Sequence, residues 1–421
     1  MPGDKSISHR ALMLASLAKD SSTVSNLAPG LDVASTARCL RQLGVRIHRR
    51  GDRATIGGNP GRFPQVFDEP DGILDCGNSG TTMRLLLGLL AGQELFSVLS
   101  GDASLRRRPM GRLTEPLSRM GARLNGRQGA RLPPLALQGR KLEGRCHLPS
   151  ISSAQVKSAL LLAGLTAEGE TRVIQPEASR DHTERMLQFM GAEVNLRGPA
   201  DVAVVGLKAP LEPLRMSVPG DISSAAFVMA GALLVPGSRI TLRGVGLNPG
   251  RTGILEVLRE AGARLEVRLR EDQAGELAGD VTVEHSDLSG FQIGPGQVPS
   301  LIDEIPVLAL LAAQSRGRTE IRGAEELRVK ESDRLAEVAR GLSALGAQVR
   351  ELPDGLIIQG VSRFQNPEAL TAGGDHRLAL TWALASLVAP GQMKVSGAGV
   401  GAVSYPSFFS DMEALAGVTG Q

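Results

Sequence analysis

The chain has 421 residues, 47 basic and 44 acidic side chains and a formal net charge of +3, a balance that demands neither nucleic acid nor a membrane surface as partner. Aromatic residues make up 3%, with one Trp and one Tyr, too few for base-stacking platforms. The length exceeds the range over which one core keeps growing, and 42% hydrophobic residues are ample for two, so two domains are expected.

Cys39, Cys76 and Cys146 are an odd, widely spaced set without metal-ligand spacing, which fits reduced thiols in a cytoplasmic protein. No basic segment leads an apolar one at the start, and no charge-free apolar stretch reaches membrane length. The chain is therefore expected to be soluble and unprocessed.

The first ten residues set the theme. Pro2-Gly3-Asp4-Lys5-Ser6-Ile7-Ser8-His9-Arg10 places a turn, an ammonium, hydroxyls and a guanidinium ahead of the apolar run Ala11–Ala18. Such a helix start can hold an anion, because its first N–H groups and its dipole both present positive charge. Ser6 and Arg10, four apart, share a helix face. The alternative is a capped surface helix with solvated basic residues. Pro219-Gly220-Asp221-Ile222-Ser223 restates the device 217 residues later, which argues for two related halves, 1–217 and 218–421.

A finer period runs inside the halves. Leu40-Arg41-Gln42-Leu43-Gly44-Val45 recurs in form at Leu117–Ala122, Leu187–Ala192, Leu258–Ala263 and Leu342–Ala347, and more weakly at Met412–Gly417. Each reads as the end of an amphipathic helix closed by a left-handed Gly, with a strand after most of them. The glycines fall at 44, 121, 191, 262, 346 and 417, spaced 77, 70, 71, 84 and 71 residues apart, so six units account for the chain. Runs such as Thr82–Ala91, Val156–Ala163 and Pro306–Ala313 are apolar almost all round and predict a second, buried helix per unit.

Polar clusters stand where those buried helices begin. Asp75–Thr82 is a Gly-rich turn able to present N–H groups to a phosphate or carboxylate, or merely a tight packing turn. Arg106-Arg107-Arg108-Pro109 precedes a helix whose first turn suits Pro109, and one or two of its guanidiniums can meet an anion. Ser152-Ser153-Ala154-Gln155 can orient a polyol or supply an N-cap, and Arg180 with Asp181 can pair locally. Asp303 either caps the helix after it or serves as a base. Lys330-Glu331-Ser332-Asp333-Arg334 is expected to start a helix with Lys330 and Arg334 on one face, compensated by an anion or by Glu331 and Asp333. Asp375-His376-Arg377 repeats that pattern. With no Walker lysine motif, zinc-ligand spacing or Gly-x-Ser-x-Gly elbow, these residues suit an enzyme that moves protons on phosphorylated or carboxylated small molecules.

Pro2 to Arg10, Gly77–Thr81, Arg108–Gly111, Ser152–Gln155, Asp303–Pro306, Arg328–Arg334 and Asp375–Arg377 together resemble the 5-enolpyruvylshikimate-3-phosphate synthase family, in order over nearly the whole chain. The resemblance implies a two-domain inside-out α/β barrel, each domain holding three βαβαββ-type repeats with buried helices and the active site in the cleft between domains. It implies transfer of the enolpyruvyl group of phosphoenolpyruvate to the 5-hydroxyl of shikimate 3-phosphate, with release of phosphate, by a monomer without metal or organic cofactor. By the same resemblance Asp303 is a base, with Lys5 and Glu331 as further proton-transfer groups. Lys5, Ser6, Arg10, Ser152, Ser153, Gln155, Asp303 and Lys330 are assigned to shikimate 3-phosphate; Lys5, Gly80, Arg108, Gln155, Arg334 and Arg377 are assigned to phosphoenolpyruvate.

Two departures from the family pattern stand out. Ala402-Val403-Ser404-Tyr405-Pro406 lacks the lysine that many members carry before the final aromatic-Pro pair. Relatives also have a short lead-in that supplies a strand to the second domain; here either the start is misassigned or that strand is missing, and the second case predicts an exposed sheet edge. The related UDP-N-acetylglucosamine enolpyruvyl transferases usually carry a cysteine in the loop that is Leu105–Pro109 here, where this chain has none. The remaining alternative is a non-catalytic polyanion-binding protein, against which the carboxylates of Asp303 and Glu331 argue.

Overall fold

The structure is a computed structural model that describes residues 1–58, 60–270 and 272–415. The chain divides into two compact units: one comprises Gly3–Pro219 with Asp272–Glu276, the other Met1–Pro2 with the rest of the C-terminal half. The repeated Pro-Gly-Asp turns stand where the chain passes from one unit to the other. Within the first unit the Asp4 N–H donates to Pro219 O at 2.7 Å, and within the second the Asp221 N–H donates to Pro2 O at 2.8 Å. No helix among the described residues is long and apolar enough to cross a membrane.

In the first unit three four-stranded sheets share one pattern. An outer strand pairs in parallel with an inner one, which continues antiparallel into a hairpin: Leu74–Asp75 with Phe96–Ser100, then Leu132–Gln138 and Arg123–Gly126. Cys146–His147, Glu170–Ile174, Asp201–Val205 and Val194–Gly198 repeat it. So do Arg215–Ser217, Ser22–Ser25, Arg53–Ile56 and Ile47–Arg50. The helices Lys5–Ala15, Gly80–Ala91 and Ala154–Gly164 lie inside these sheets, buried over most of their length; in the last two apolar residues cover most of the circumference, and in the first the buried Ser8, His9 and Arg10 are hydrogen-bonded. They pack closely: a Cβ on Gly88 would stand 2.1 Å from the Ala159 carbonyl oxygen, so only Gly fits there.

The second unit carries the pattern once in full, in Gln292–Ile293, Arg318–Ile321, Gly355–Gln359 and Gln348–Leu352. A three-stranded sheet, Arg239–Gly246, Ala278–Glu284 and Arg264–Leu269, has Arg239–Gly246 at its edge, where the other sheets hold their parallel strand. Ala369–Thr371 pairs in parallel with Lys394–Ser396. Buried helices Ile222–Leu234, Ile305–Gln314 and His376–Val388 form the interior. The helix Phe408–Leu415 closes over it through edge-on contacts of Phe408 with Phe227 and Tyr405.

The periodic glycines behave as the helix-ending pattern requires. Gly44, Gly121, Gly191, Gly262 and Gly346 all have positive φ, between 83° and 118°. The residue after each glycine donates its N–H to the carbonyl of the leucine that opens the motif, Leu40, Leu117, Leu187, Leu258 or Leu342, at 2.9–3.1 Å. That is the Schellman closure, which satisfies an otherwise orphaned carbonyl. Gly417 lies outside the described residues. Two local expectations are corrected. Pro109 precedes the helix Gly111–Met120 and is not in its first turn. Lys330 and Glu331 lie before the helix Arg334–Ala344, whose cap is Asp333, so Lys330 and Arg334 do not share a helical face.

A buried hydroxyl chain ties the first helix to the Gly-rich turn. His9 Nδ1 is hydrogen-bonded to Thr36 Oγ1 at 2.6 Å, Thr36 to Thr82 Oγ1 at 2.8 Å, and Thr82 to Ser79 Oγ at 2.7 Å. Burial pushes the His9 imidazole from 6.5 down to about 3, with Lys5 and Arg10 adding to the effect against Asp32. The folded state therefore holds His9 neutral where the unfolded chain protonates it. Stability is full above the unfolded value and falls as pH drops from 6.5 toward 3. Urea unfolding at pH 7 and pH 5 is expected to show a loss of about 2 kcal/mol from this group in the wild type, absent in His9→Gln. Equal pH dependence in the two proteins would contradict the assignment.

Candidate active site

In the Gly3–Pro219 unit the polar residues gather at three helix starts. Asp4 caps the helix Lys5–Ala15 by accepting from the Ile7 N–H at 2.9 Å. Lys5, in its first turn, donates to Asp32 Oδ2 at 2.9 Å. Arg10 is buried; its Nε donates to Thr183, its Nη2 to Ser158 and its Nη1 to the Ser6 carbonyl, at 2.7, 2.7 and 2.9 Å. Burial lowers its pKa to about 10, against the raising charges of Glu184 and Asp4. Beside it Lys157 and Glu184 form a buried ion pair at 2.5 Å.

The second helix start is the Gly-rich turn. Ser79 caps the helix Gly80–Ala91 by accepting from the Thr82 N–H. Two guanidiniums converge on it: a Cβ on Gly80 would stand 2.7 Å from Arg84 Nη1 and 3.4 Å from Arg108 Nη1. Arg108 is held by Asn78 Oδ1 at 2.6 Å, and Asn78 in turn donates to Asp102 Oδ2. Gln155 accepts from Arg84 at 2.7 Å and donates to Thr81 Oγ1 at 3.0 Å. Gly80, Arg108 and Gln155, three of the residues assigned from the sequence, thus meet around Arg84. A helix N-terminus with two guanidiniums and a carboxamide is suited to a phosphate or a carboxylate.

At the third start the two serines are engaged differently. Ser153 caps the helix Ala154–Gly164, accepting from the Val156 N–H at 3.5 Å. Ser152 donates to the Glu177 carbonyl and accepts from the Glu177 N–H, each at 2.8 Å, which fixes the neighbouring loop. Asp181 pairs with Arg185 at 2.8 Å, one helical turn apart.

In the other unit the cluster is built on carboxylates. Asp375 caps the helix His376–Val388 by accepting from the Arg377 N–H, and also receives Arg334 Nε at 2.7 Å and Nη2 at 3.2 Å. Arg334 Nη2 donates to Glu331 at 2.7 Å, and its Nη1 lies 3.7 Å from Asp303 Oδ1. Burial opposes the charge on Arg334, but the carboxylates of Asp375, Glu331 and Asp303 outweigh it and raise its pKa. For Asp375 the order is the same: burial would raise it, and Arg334 holds it below the usual carboxylate range. Desolvation lowers the Lys330 ammonium against the attraction of Asp303. Arg377 is buried, and its Nε has no hydrogen-bond partner among the described residues.

Asp303 does not cap the helix Ile305–Gln314; Glu304 occupies that position without a side-chain cap bond. Asp303 and Glu331 keep side-chain exposures of 18% and 16%, which leaves both reachable by a substrate hydroxyl, while Arg334 at 2% is walled in. A reachable carboxylate beside a buried cation stays ionised and can accept a proton. Asp32 and Arg84 are further residues of the site that the sequence motifs did not mark. Arg84 carried a legible signal, a lone charge inside a run otherwise apolar all round; Asp32 looked like an ordinary first-turn acid.

The comparisons with known proteins agree with this chemistry. The family model described as EPSP synthase (3-phosphoshikimate 1-carboxyvinyltransferase) matches residues 1–412. A protein of Synechococcus sp. (strain RCC307) named 3-phosphoshikimate 1-carboxyvinyltransferase is 48% identical over 99% of this chain and 95% of its own length. One of the same name from Geobacter metallireducens is 49% identical over 99% and 96%. The solved EPSP synthase of Acinetobacter baumannii superposes with a TM-score of 0.86 at 40% identity, covering 100% of this chain and 94% of its own. The enolpyruvyl transferase NikO of Streptomyces tendae, at 18% identity, a TM-score of 0.76 and coverages of 98% and 93%, shares the fold. The match over nearly the full length, at these identities, shows that the chain belongs to the EPSP synthase (3-phosphoshikimate 1-carboxyvinyltransferase) family.

Proposed function

We infer that the chain transfers the enolpyruvyl group of phosphoenolpyruvate to the 5-hydroxyl of shikimate 3-phosphate, releasing phosphate, in aromatic amino-acid biosynthesis. The observation that carries the reading is the Asp303 carboxylate, partly exposed and faced by the guanidinium of Arg334 at 3.7 Å. In the first step the hydroxyl oxygen adds to the substituted enol carbon and its proton passes to Asp303. The methylene carbon takes a proton from Lys5 or Glu331 and becomes a methyl group. In the second step the C–O bond to phosphate breaks, and the methyl group returns a proton to restore the enol.

Within the Gly3–Pro219 unit, Lys5, Ser6, Arg10, Ser152, Ser153 and Gln155 recognise shikimate 3-phosphate, and Lys5, Gly80, Arg108 and Gln155 recognise phosphoenolpyruvate. Within the other unit Asp303 and Lys330 serve the first substrate, and Arg334 and Arg377 the second. Developing charge on the transferred carbons is met by these fixed cations. The chain acts as a monomer in the cytoplasm; the unpaired thiols of Cys39, Cys76 and Cys146 support the compartment.

Phosphate release from phosphoenolpyruvate is expected with shikimate 3-phosphate and not with UDP-N-acetylglucosamine. In Asp303→Ala it is expected to fall by about a thousandfold. Release supported by the nucleotide sugar would move the chain to the other branch of the fold, and tight anion binding without turnover would make it a binding protein. Arg84→Met, which removes one of the two guanidiniums at Gly80 and frees the Gln155 carboxamide, is expected to raise KM for phosphoenolpyruvate about tenfold and, through Gln155 alone, KM for shikimate 3-phosphate by a smaller factor. Steady-state kinetics with each substrate varied in turn separates these effects.

A further inference from the structure

Arg251 belongs to no part of the site described so far, yet it points into it. It ends the short turn Pro249–Arg251, whose shape is set by Asn248 accepting from the Gly250 N–H at 2.9 Å. The side chain is buried, at 4% exposure. One arm of its fork is anchored: Nη2 donates to Ser223 Oγ at 2.6 Å and lies 3.4 Å from Asp221 Oδ1 and 3.9 Å from Glu304 Oε1. Ser223 passes its own hydrogen to Glu304. The other arm, Nη1, lies 3.5 Å from Asp303 Oδ2, on the opposite carboxylate oxygen from Arg334.

We propose that Arg251 is a positioning residue for the proton acceptor: anchored through Nη2 on Ser223 and Asp221, it holds the Asp303 carboxylate through Nη1. The proposal rests on the reading of Asp303 as the base. A planar fork has two arms in fixed relation, so fixing one aims the other, which a lysine ammonium cannot do. The charged groups around Asp303 are the cations Arg251, Arg334 and Lys330 and the anions Glu304, Glu331, Asp221 and Asp375. Arg334 shares its charge with Asp375 and Glu331, and Arg251 shares its own with Asp221 and Glu304; with Lys330 also near, Arg251 is one of three cations that favour the ionised Asp303 carboxylate, and the one aimed at Oδ2. Removing it makes the carboxyl easier to protonate, and the activity lost on the acid side must then be lost at higher pH.

The test is kcat against pH, between about pH 3 and 9 so that the acid limb of a cation-flanked carboxylate is covered, for the wild type, Arg251→Met, Arg251→Lys and Asp303→Asn. In Arg251→Met the acid limb is expected to move up by about one pH unit, with KM for both substrates within about twofold. Arg251→Lys is expected to move it by less in the same direction, and it decides the matter if the Met variant does not fold. Limbs that stay at the wild-type position in both variants, whatever the height of kcat, would overturn the proposal while leaving the base assignment standing. An Asp303→Asn protein with wild-type rate and limb would overturn the base assignment itself, and the role of Arg251 with it.

Discussion

The buried pair of Arg334 and Asp375 is the interaction on which the chemistry of the C-terminal unit depends. Their side chains are 2% and 0% exposed, and two hydrogen bonds join them. Removing one partner of such a pair strands the other charge away from water, at a cost of about 3–5 kcal/mol. Asp375 also accepts from Ser332 at 3.1 Å and caps the helix His376–Val388, so one carboxylate ties the Ser332–Arg334 stretch to the start of that helix. Arg334, thus held, meets Glu331 and faces Asp303. Two reachable carboxylates are faced by a cation that cannot turn away.

The same economy of parts runs through the Gly3–Pro219 unit. A repeated strand and buried helix brings helix starts together, and each start has N–H groups that need an acceptor. Asp4, Ser79 and Ser153 supply the caps, so the neighbouring side chains are not needed for capping. Charged groups beside these caps are balanced locally, Lys5 by Asp32 and Lys157 by Glu184, so the site is stable before an anion arrives. A side chain at Gly80 would push the Arg84 guanidinium aside, since a Cβ there would stand 2.7 Å from its Nη1.

Much of the fold was legible because it repeats. Glycines spaced near 70 residues predict six helix ends, and five of them carry positive φ and the same closing bond; the sixth, Gly417, lies beyond the described residues. Apolar runs without a polar face announced the buried helices. Less was legible where partners are distant in sequence. Arg334 meets Asp375 41 residues on, Lys5 meets Asp32 27 residues on, and Arg84 meets Gln155 71 residues on. Helical periodicity also misled at Lys330, since the chain turns through the irregular stretch before Asp333 and enters its helix only at Arg334.

The most direct test of the central pair is Asp375→Asn, which keeps a cap acceptor for the Arg377 N–H but removes the charge that holds Arg334. Phosphate release by a folded variant, verified by circular dichroism, is expected to fall by about a hundredfold or more as Arg334 redistributes onto Asp303 and Glu331. A folded Asp375→Asn protein with wild-type turnover would contradict the account.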